Sequence, residues 1–230
     1  VAGFAEYAVL PKAALVRIDK HIPFEHAALS GCGVVTGVGA VINTASAREE
    51  DSIAIVGLGG VGLSALLASI AIGSKKTIAI DLSNEKLNLA HELGADHILN
   101  PNDANFLERV RDLTSGGANI AIETAGSGRA LKTAYDITRR GGTTVAAGMP
   151  GPKVDITLSH LSIAAEERII KGSYMGSCIA HRDIPKYLDM FQTGKLPVDR
   201  LLSRKITFED LNAAMDRLDD AKTVREVLIP

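Results

Sequence analysis

Three glycines at fixed spacing, Gly57, Gly59 and Gly62, join a short apolar run to a long one, and this junction constrains the chain more than any other feature. Ile53–Val56 reads as a strand that stops at Gly57, and Val61–Ile72 reads as a helix that starts inside the glycine turn. The first glycine permits a tight turn, the second lets another group approach the backbone, and the third lets the helix pack close to its strand. With 22 glycines in 230 residues, three at this spacing arise by chance about 0.2 times, so the surroundings must decide.

The surroundings repeat the same unit. Strands are predicted at Thr77–Ile80, His97–Leu99, Ala118–Ile122, Thr143–Ala147 and Arg168–Tyr174, with helices at Asn84–Leu93, Asn105–Leu113 and Ser127–Thr138 between them. Strand and helix in alternation imply an α/β fold: a doubly wound parallel sheet with helices on both faces. The ends differ. Phe4–Leu10 alternates loosely up to Pro11; helices are predicted at Ile184–Gln192 and Phe208–Leu218, and a closing strand at Arg225–Ile229. Inside one compact domain those end strands would leave unpaired edges. The expected division is therefore 1–33 and 175–230 in a second domain, completed by residues before Val1, and 34–174 in the sheet domain.

Such a turn at a helix N-terminus suits a pyrophosphate, because the helix offers free N–H groups and a partial positive charge. Asp81 ends the next strand about 20 residues on, where an acid can accept the hydroxyls of an adenosine ribose. A 2′-phosphate would meet that carboxylate as a like charge, so NAD is expected rather than NADP. Asp81 could instead simply cap the following helix. Lys86, one turn into that helix, could reach the same ribose or face solvent. An S-adenosylmethionine site would show a looser glycine pattern.

Composition excludes other classes. Formal net charge is −2 with pI near 6.3 and no basic stripe, so no nucleic-acid partner is expected. The longest apolar stretch, 61–73, is too short for a bilayer and reads as a helix buried on most sides. No secretion signal is visible and two cysteines make no disulfide framework, so a cytoplasmic location is expected. Cys32, flanked by glycines in Gly31-Cys32-Gly33, is either a small buried hydrophobe or a metal thiolate. Catalytic zinc needs three protein ligands; His21 and His26 are not at ligand spacing, so partners of Cys32 would lie upstream.

Taken together, these residues resemble the C-terminal two-thirds of a zinc-dependent alcohol dehydrogenase of the medium-chain dehydrogenase/reductase family. The resemblance covers essentially the whole chain. It rests on Phe4-Ala5-Glu6-Tyr7, Gly31–Gly37, Gly57–Gly62, Ile80-Asp81, Leu93-Gly94-Ala95, Asn100-Pro101, Glu123-Thr124-Ala125-Gly126 and Gly141-Gly142. It implies Cys32 as a ligand of catalytic zinc, Thr36 beside the nicotinamide and Val61 behind its ring. It implies the glycine turn, Gly60 included, and Arg225 at the pyrophosphate, with Asp81 and Lys86 at the adenosine ribose. Thr124, Ala147 and Met175 would line the adenine end or hold the carboxamide through their backbone. Arg225 could otherwise be an ordinary surface arginine. The strand Arg168–Tyr174 resembles an edge that pairs with a second copy, implying a homodimer or tetramer.

The family's other zinc ligands, its proton-relay hydroxyl and its structural zinc cysteines would precede Val1. The implied reaction is hydride transfer between an alcohol and NAD, with zinc as Lewis acid and an aldehyde or ketone as product; the 230 residues alone are expected to bind NAD without turnover. Alternatives are a zinc-free quinone or enone reductase of the same family, a polyol or formaldehyde-conjugate dehydrogenase on the same scaffold, and a non-catalytic NAD-binding dimer.

Overall fold

A computed structural model describes residues 3–219 and 223–230. Two short helices, α1 (Phe24–Leu29) and α2 (Gly33–Gly39), precede a six-stranded parallel sheet. Its strands are β1 (Ser52–Val56), β2 (Lys76–Ile80), β3 (His97–Leu99), β4 (Ala118–Glu123), β5 (Thr138–Ala146) and β6 (Ile169–Gly172). Helices α3 (Gly60–Ala71), α4 (Asn84–Glu92), α5 (Phe106–Thr114), α6 (Gly128–Ile137) and α7 (His160–Ala165) make the crossovers. Strand order is β3-β2-β1-β4-β5-β6, the doubly wound order expected from the alternation.

The central strands form because nothing along them favours water. All five residues of β1 are buried, and Ile78, Ile80 and Ile122 are fully enclosed. Burying each such side chain contributes about 1.5–3 kcal/mol. Helix α3 is buried from Gly62 to Ser69, as the apolar run predicted, and α2 covers it. The two helices meet backbone to backbone: a Cβ built on Gly37 would lie 2.2 Å from the Val61 carbonyl oxygen.

Several expectations need correction. Strand β5 starts at Thr138, not Thr143, and its pairing with β4 jumps from Ala118↔Thr138 to Ile120↔Thr143. Residues 139–142 bulge out there, with Gly141 at φ +67°. The predicted Phe4–Leu10 strand is a run of bends followed by residues in no regular structure. The closing strand is not unpaired. Here β8 (Arg225–Leu228) joins β7 (Leu202–Ile206), which the sequence reading missed, in a separate two-stranded parallel sheet. The tail also holds α8 (Ala180–Gln192) and α9 (Leu211–Asp216), the latter shorter than predicted.

The ladder continues past the strand ends. Gly57 donates its N–H to the Ile80 carbonyl (2.8 Å), Thr124 to Val56 (2.9 Å) and Ala147 to Glu123 (2.9 Å). The crevice where the chain winds outward in both directions therefore opens at Gly57 and Thr124, which is where such folds hold ligands.

Candidate functional site

The glycine turn holds its shape through two contacts. Gly57 sits at φ +95°, a conformation that excludes side chains, and its carbonyl accepts from Thr124 Oγ1 at 2.7 Å. A Cβ on Gly62 would lie 1.8 Å from that same carbonyl oxygen, so only glycine lets α3 start this close to β1. Gly59 is the opposite case, since a Cβ there would meet nothing within 4 Å. The space beside it is open.

Asp81 faces this turn. Its Oδ2 accepts the Leu58 N–H at 2.7 Å and its Oδ1 the Ser83 N–H at 2.9 Å. The cap of α4 is Ser83, whose Oγ accepts from the Lys86 N–H, so Asp81 is not that helix's N-cap. A carboxylate has about four acceptor sites, and two more stay available to a ligand. Asp81, Lys86, Pro101, Ser127 and Arg129 line a cleft beside Gly57. A second cleft runs along Leu58, Gly59 and Gly60 to Arg225, and Lys86 borders both. The two clefts adjoin at Lys86 and are treated together as a trough.

Arg225 comes from β8 and lies across two helix starts. A Cβ on Gly33 would be 2.4 Å from its Nη2, and one on Gly60 2.4 Å from its Nε. Among the described residues its guanidinium has no anionic partner, whereas neighbouring Glu226 is paired with Arg217 at 2.9 Å. A cation held against the positive ends of two helices is poised for an anion.

A second group sits beyond α2. The Thr36 hydroxyl donates to the Cys32 carbonyl at 2.8 Å and meets Met175 Sδ at 3.8 Å. Cys32 is exposed at the head of α2, in a hollow with Phe4, Ala28 and Arg225. Among the described residues no cluster of three His, Cys, Asp or Glu could hold a metal ion, so Cys32 stands as a single donor and these residues alone do not fit a zinc centre. Val61 is half-buried in the first turn of α3, and Ala147 is buried at the end of β5; neither lines the trough.

Sequence reading quoted Glu123 in a motif but gave it no role; its carboxylate is buried at the end of β4. Burial pushes it up, against the pull of backbone N–H groups of Gly126, Ser127, Ala125 and Gly148. It anchors the loop that carries Thr124 and Ser127 into the crevice. An acid ending an apolar strand was the available signal. Arg129 was also missed; it donates to Asn102 Oδ1 at 2.6 Å across the mouth of the cleft.

With this geometry in hand, the comparisons with known proteins decide the family. The profile described as "Zinc-binding dehydrogenase" matches residues 60–193. The chain belongs to the zinc-binding dehydrogenase family. Geraniol dehydrogenase of Castellaniella defragrans is 32% identical over 229 residues, covering 99% of this chain and 61% of that protein. Alcohol dehydrogenase class-2 isozyme 2 of Oryctolagus cuniculus is 32% identical, covering 100% and 61%. The crystal structure of benzyl alcohol dehydrogenase from Acinetobacter calcoaceticus superposes with a TM-score of 0.89 at 31% identity, covering 93% of this chain and 59% of that one. The chain thus spans about three-fifths of the length of the relatives it matches. No helix among the described residues is long and apolar enough to cross a membrane.

Proposed function

We propose that this chain is the NAD-holding part of an alcohol dehydrogenase, which moves a hydride between an alcohol and the nicotinamide ring. The observation that carries the reading is the Asp81 carboxylate hydrogen-bonded to the glycine turn, with Arg225, which pairs with no acid among the described residues, lining the adjoining cleft. The N–H groups at Gly59 and Gly60 and the Arg225 guanidinium would hold the pyrophosphate, and Asp81 and Lys86 the adenosine ribose. Thr124 acts indirectly, by fixing Gly57. Thr36, Val61, Ala147 and Met175 are assigned to the nicotinamide end. In this arrangement residues 34–174 supply the sheet and the glycine turn, and 1–33 with 175–230 belong to the unit that receives substrate while lending Met175 and Arg225 to the cofactor site.

NAD supplies the hydride acceptor; the protein supplies orientation. A rigid sheet edge that fixes adenosine and pyrophosphate leaves the ring little freedom, which converts an encounter into a positioned transfer. In the proposed reaction the alcohol carbon would give its hydride to the nicotinamide ring and its oxygen would release a proton to solvent, leaving the carbonyl product and reduced cofactor. Cys32 offers a metal a single thiolate.

Association through the outer strand belongs to the same proposal. Ile169 and Ile170 on β6 are 46% and 41% exposed and Tyr174 is 77% exposed, along an edge with unpaired backbone groups. A second copy adding its own β6 would cover them. The reading is tested by calorimetric titration of this chain with NAD, which should bind without turnover of added alcohols; no binding would overturn it. Reduction of enones with no alcohol oxidation by the metal-loaded protein would favour the zinc-free reductase instead, and unchanged metal content in Cys32→Ser would remove Cys32 as a ligand.

A further inference from the structure

Behind Met175 the backbone does something unusual. Met175, Gly176 and Ser177 lie consecutively in the left-handed region, at φ 48°, 65° and 48°. For Met and Ser that conformation is strained, and strain of this kind persists only where the surroundings over-determine it. Those surroundings are polar and specific. Asn43 Nδ2 lies 3.2 Å from the Gly176 carbonyl, 3.2 Å from Asp183 Oδ2 and 3.1 Å from the Tyr187 hydroxyl. Thr44 Oγ1 lies 2.8 Å from Ser173 Oγ and 2.9 Å from Ser177 Oγ.

Asp183 is almost wholly buried and anchors the far side. It accepts the Ile179 N–H at 2.8 Å and the Arg182 guanidinium at 2.6 and 3.0 Å. The Arg182 contact holds its carboxyl at about 2, while burial pushes Tyr187 up to about 12, so the cluster keeps one protonation state across ordinary pH. Asn43 and Thr44 reach the turn because the helix after α2 widens: Ala45 donates to the Ala40 carbonyl at 2.9 Å, an i→i+5 bond. Gly39 and Gly176 interlock there, with a Cβ on Gly39 only 2.3 Å from the Gly176 carbonyl oxygen.

We infer that Asn43 is a positioning residue for the nicotinamide end of the site. Its amide clamps the Gly176 carbonyl to the Asp183–Tyr187 pair, and this fixes the strained turn whose Met175 faces Thr36. The inference rests on the functional reading above, because it needs the ring to lie against that turn. The Cys178 thiol, at the end of the turn, also meets Asp183, but it is the Asn43 amide that reaches the Gly176 carbonyl within the strained stretch.

The test compares two ligands that differ only at the nicotinamide. Calorimetry on the purified protein measures NAD and ADP-ribose, which keeps the adenosine and pyrophosphate but lacks the ring. Asn43→Ala should weaken NAD about tenfold or more while ADP-ribose changes less than about twofold. Asn43→Ser leaves a smaller void and one short donor, and should show the same selective loss if the alanine variant folds poorly. Equal changes for both ligands, or none, would overturn the inference and leave the NAD assignment standing. A wild-type protein that binds neither ligand would overturn both.

Discussion

Replacing Arg225 by glutamine should make the free protein more stable and the NAD complex less so. The guanidinium touches the first residues of α2 and α3, each a helix start carrying partial positive charge. A cation there costs about 0.3–1 kcal/mol per helix end. Glutamine keeps most of the packed stem, so the free protein gains about 1 kcal/mol, a rise of about 2–4 °C in Tm. Without the guanidinium's charged hydrogen bonds to the pyrophosphate, binding weakens by about 2 kcal/mol, roughly thirtyfold in Kd. At NAD one hundred times the wild-type Kd, linkage stabilises wild type by about 2.7 kcal/mol and the variant by about 0.9. The order of melting therefore inverts on adding NAD. Thermal unfolding with and without cofactor, beside calorimetric Kd values, reads this directly. A variant that melts lower in both conditions with unchanged Kd would show that Arg225 is a structural arginine.

Other substitutions separate shape from binding. Gly62→Ala drives a Cβ into the Gly57 carbonyl and should cost about 2–4 kcal/mol in urea unfolding, whereas Gly59→Ala, facing open space, should change stability by less than about 0.5 kcal/mol yet weaken NAD. Asp183 is depressed when folded, so its contribution is present above the unfolded value near 3.8 and is lost as pH falls through about 2. Asp183→Asn should thus cost about 2 kcal/mol at neutral pH, with wild type and variant converging near pH 2 in acid unfolding curves. Ile170→Lys should turn a dimer into a monomer by light scattering; an unchanged mass would place any interface elsewhere.

What the sequence disclosed follows from how each part is stabilised. The sheet was legible because buried parallel strands are near-continuous apolar runs; His97–Leu99 is found as read, and β1 and β2 gain one residue each at their starts. Helix α2 was not, because glycines at 33, 37 and 39 oppose helix locally and it exists only through close packing on α3. Strand β7 was hidden because Ser203, Arg204 and Lys205 are exposed, leaving no periodic face. In the site, Asp81 could be found by its spacing from the turn. The place of Arg225, more than 160 residues from Gly60, rests on a tertiary contact that no local pattern encodes. The sequence reading gave Asn43 no role, because the groups around its amide, on Gly176, Asp183 and Tyr187, come from distant segments.

The trough is shaped, in this account, for an adenine dinucleotide whose ribose meets the Asp81 carboxylate. Calorimetric titration of the protein and of Asp81→Asn with NAD and with NADP tests that most directly. The asparagine still accepts the Leu58 N–H, so the turn should survive. Wild type should favour NAD by about tenfold or more, from a like-charge contact of about 1–4 kcal/mol, and the variant should lose most of that preference. Equal affinities in the wild-type protein would contradict the account.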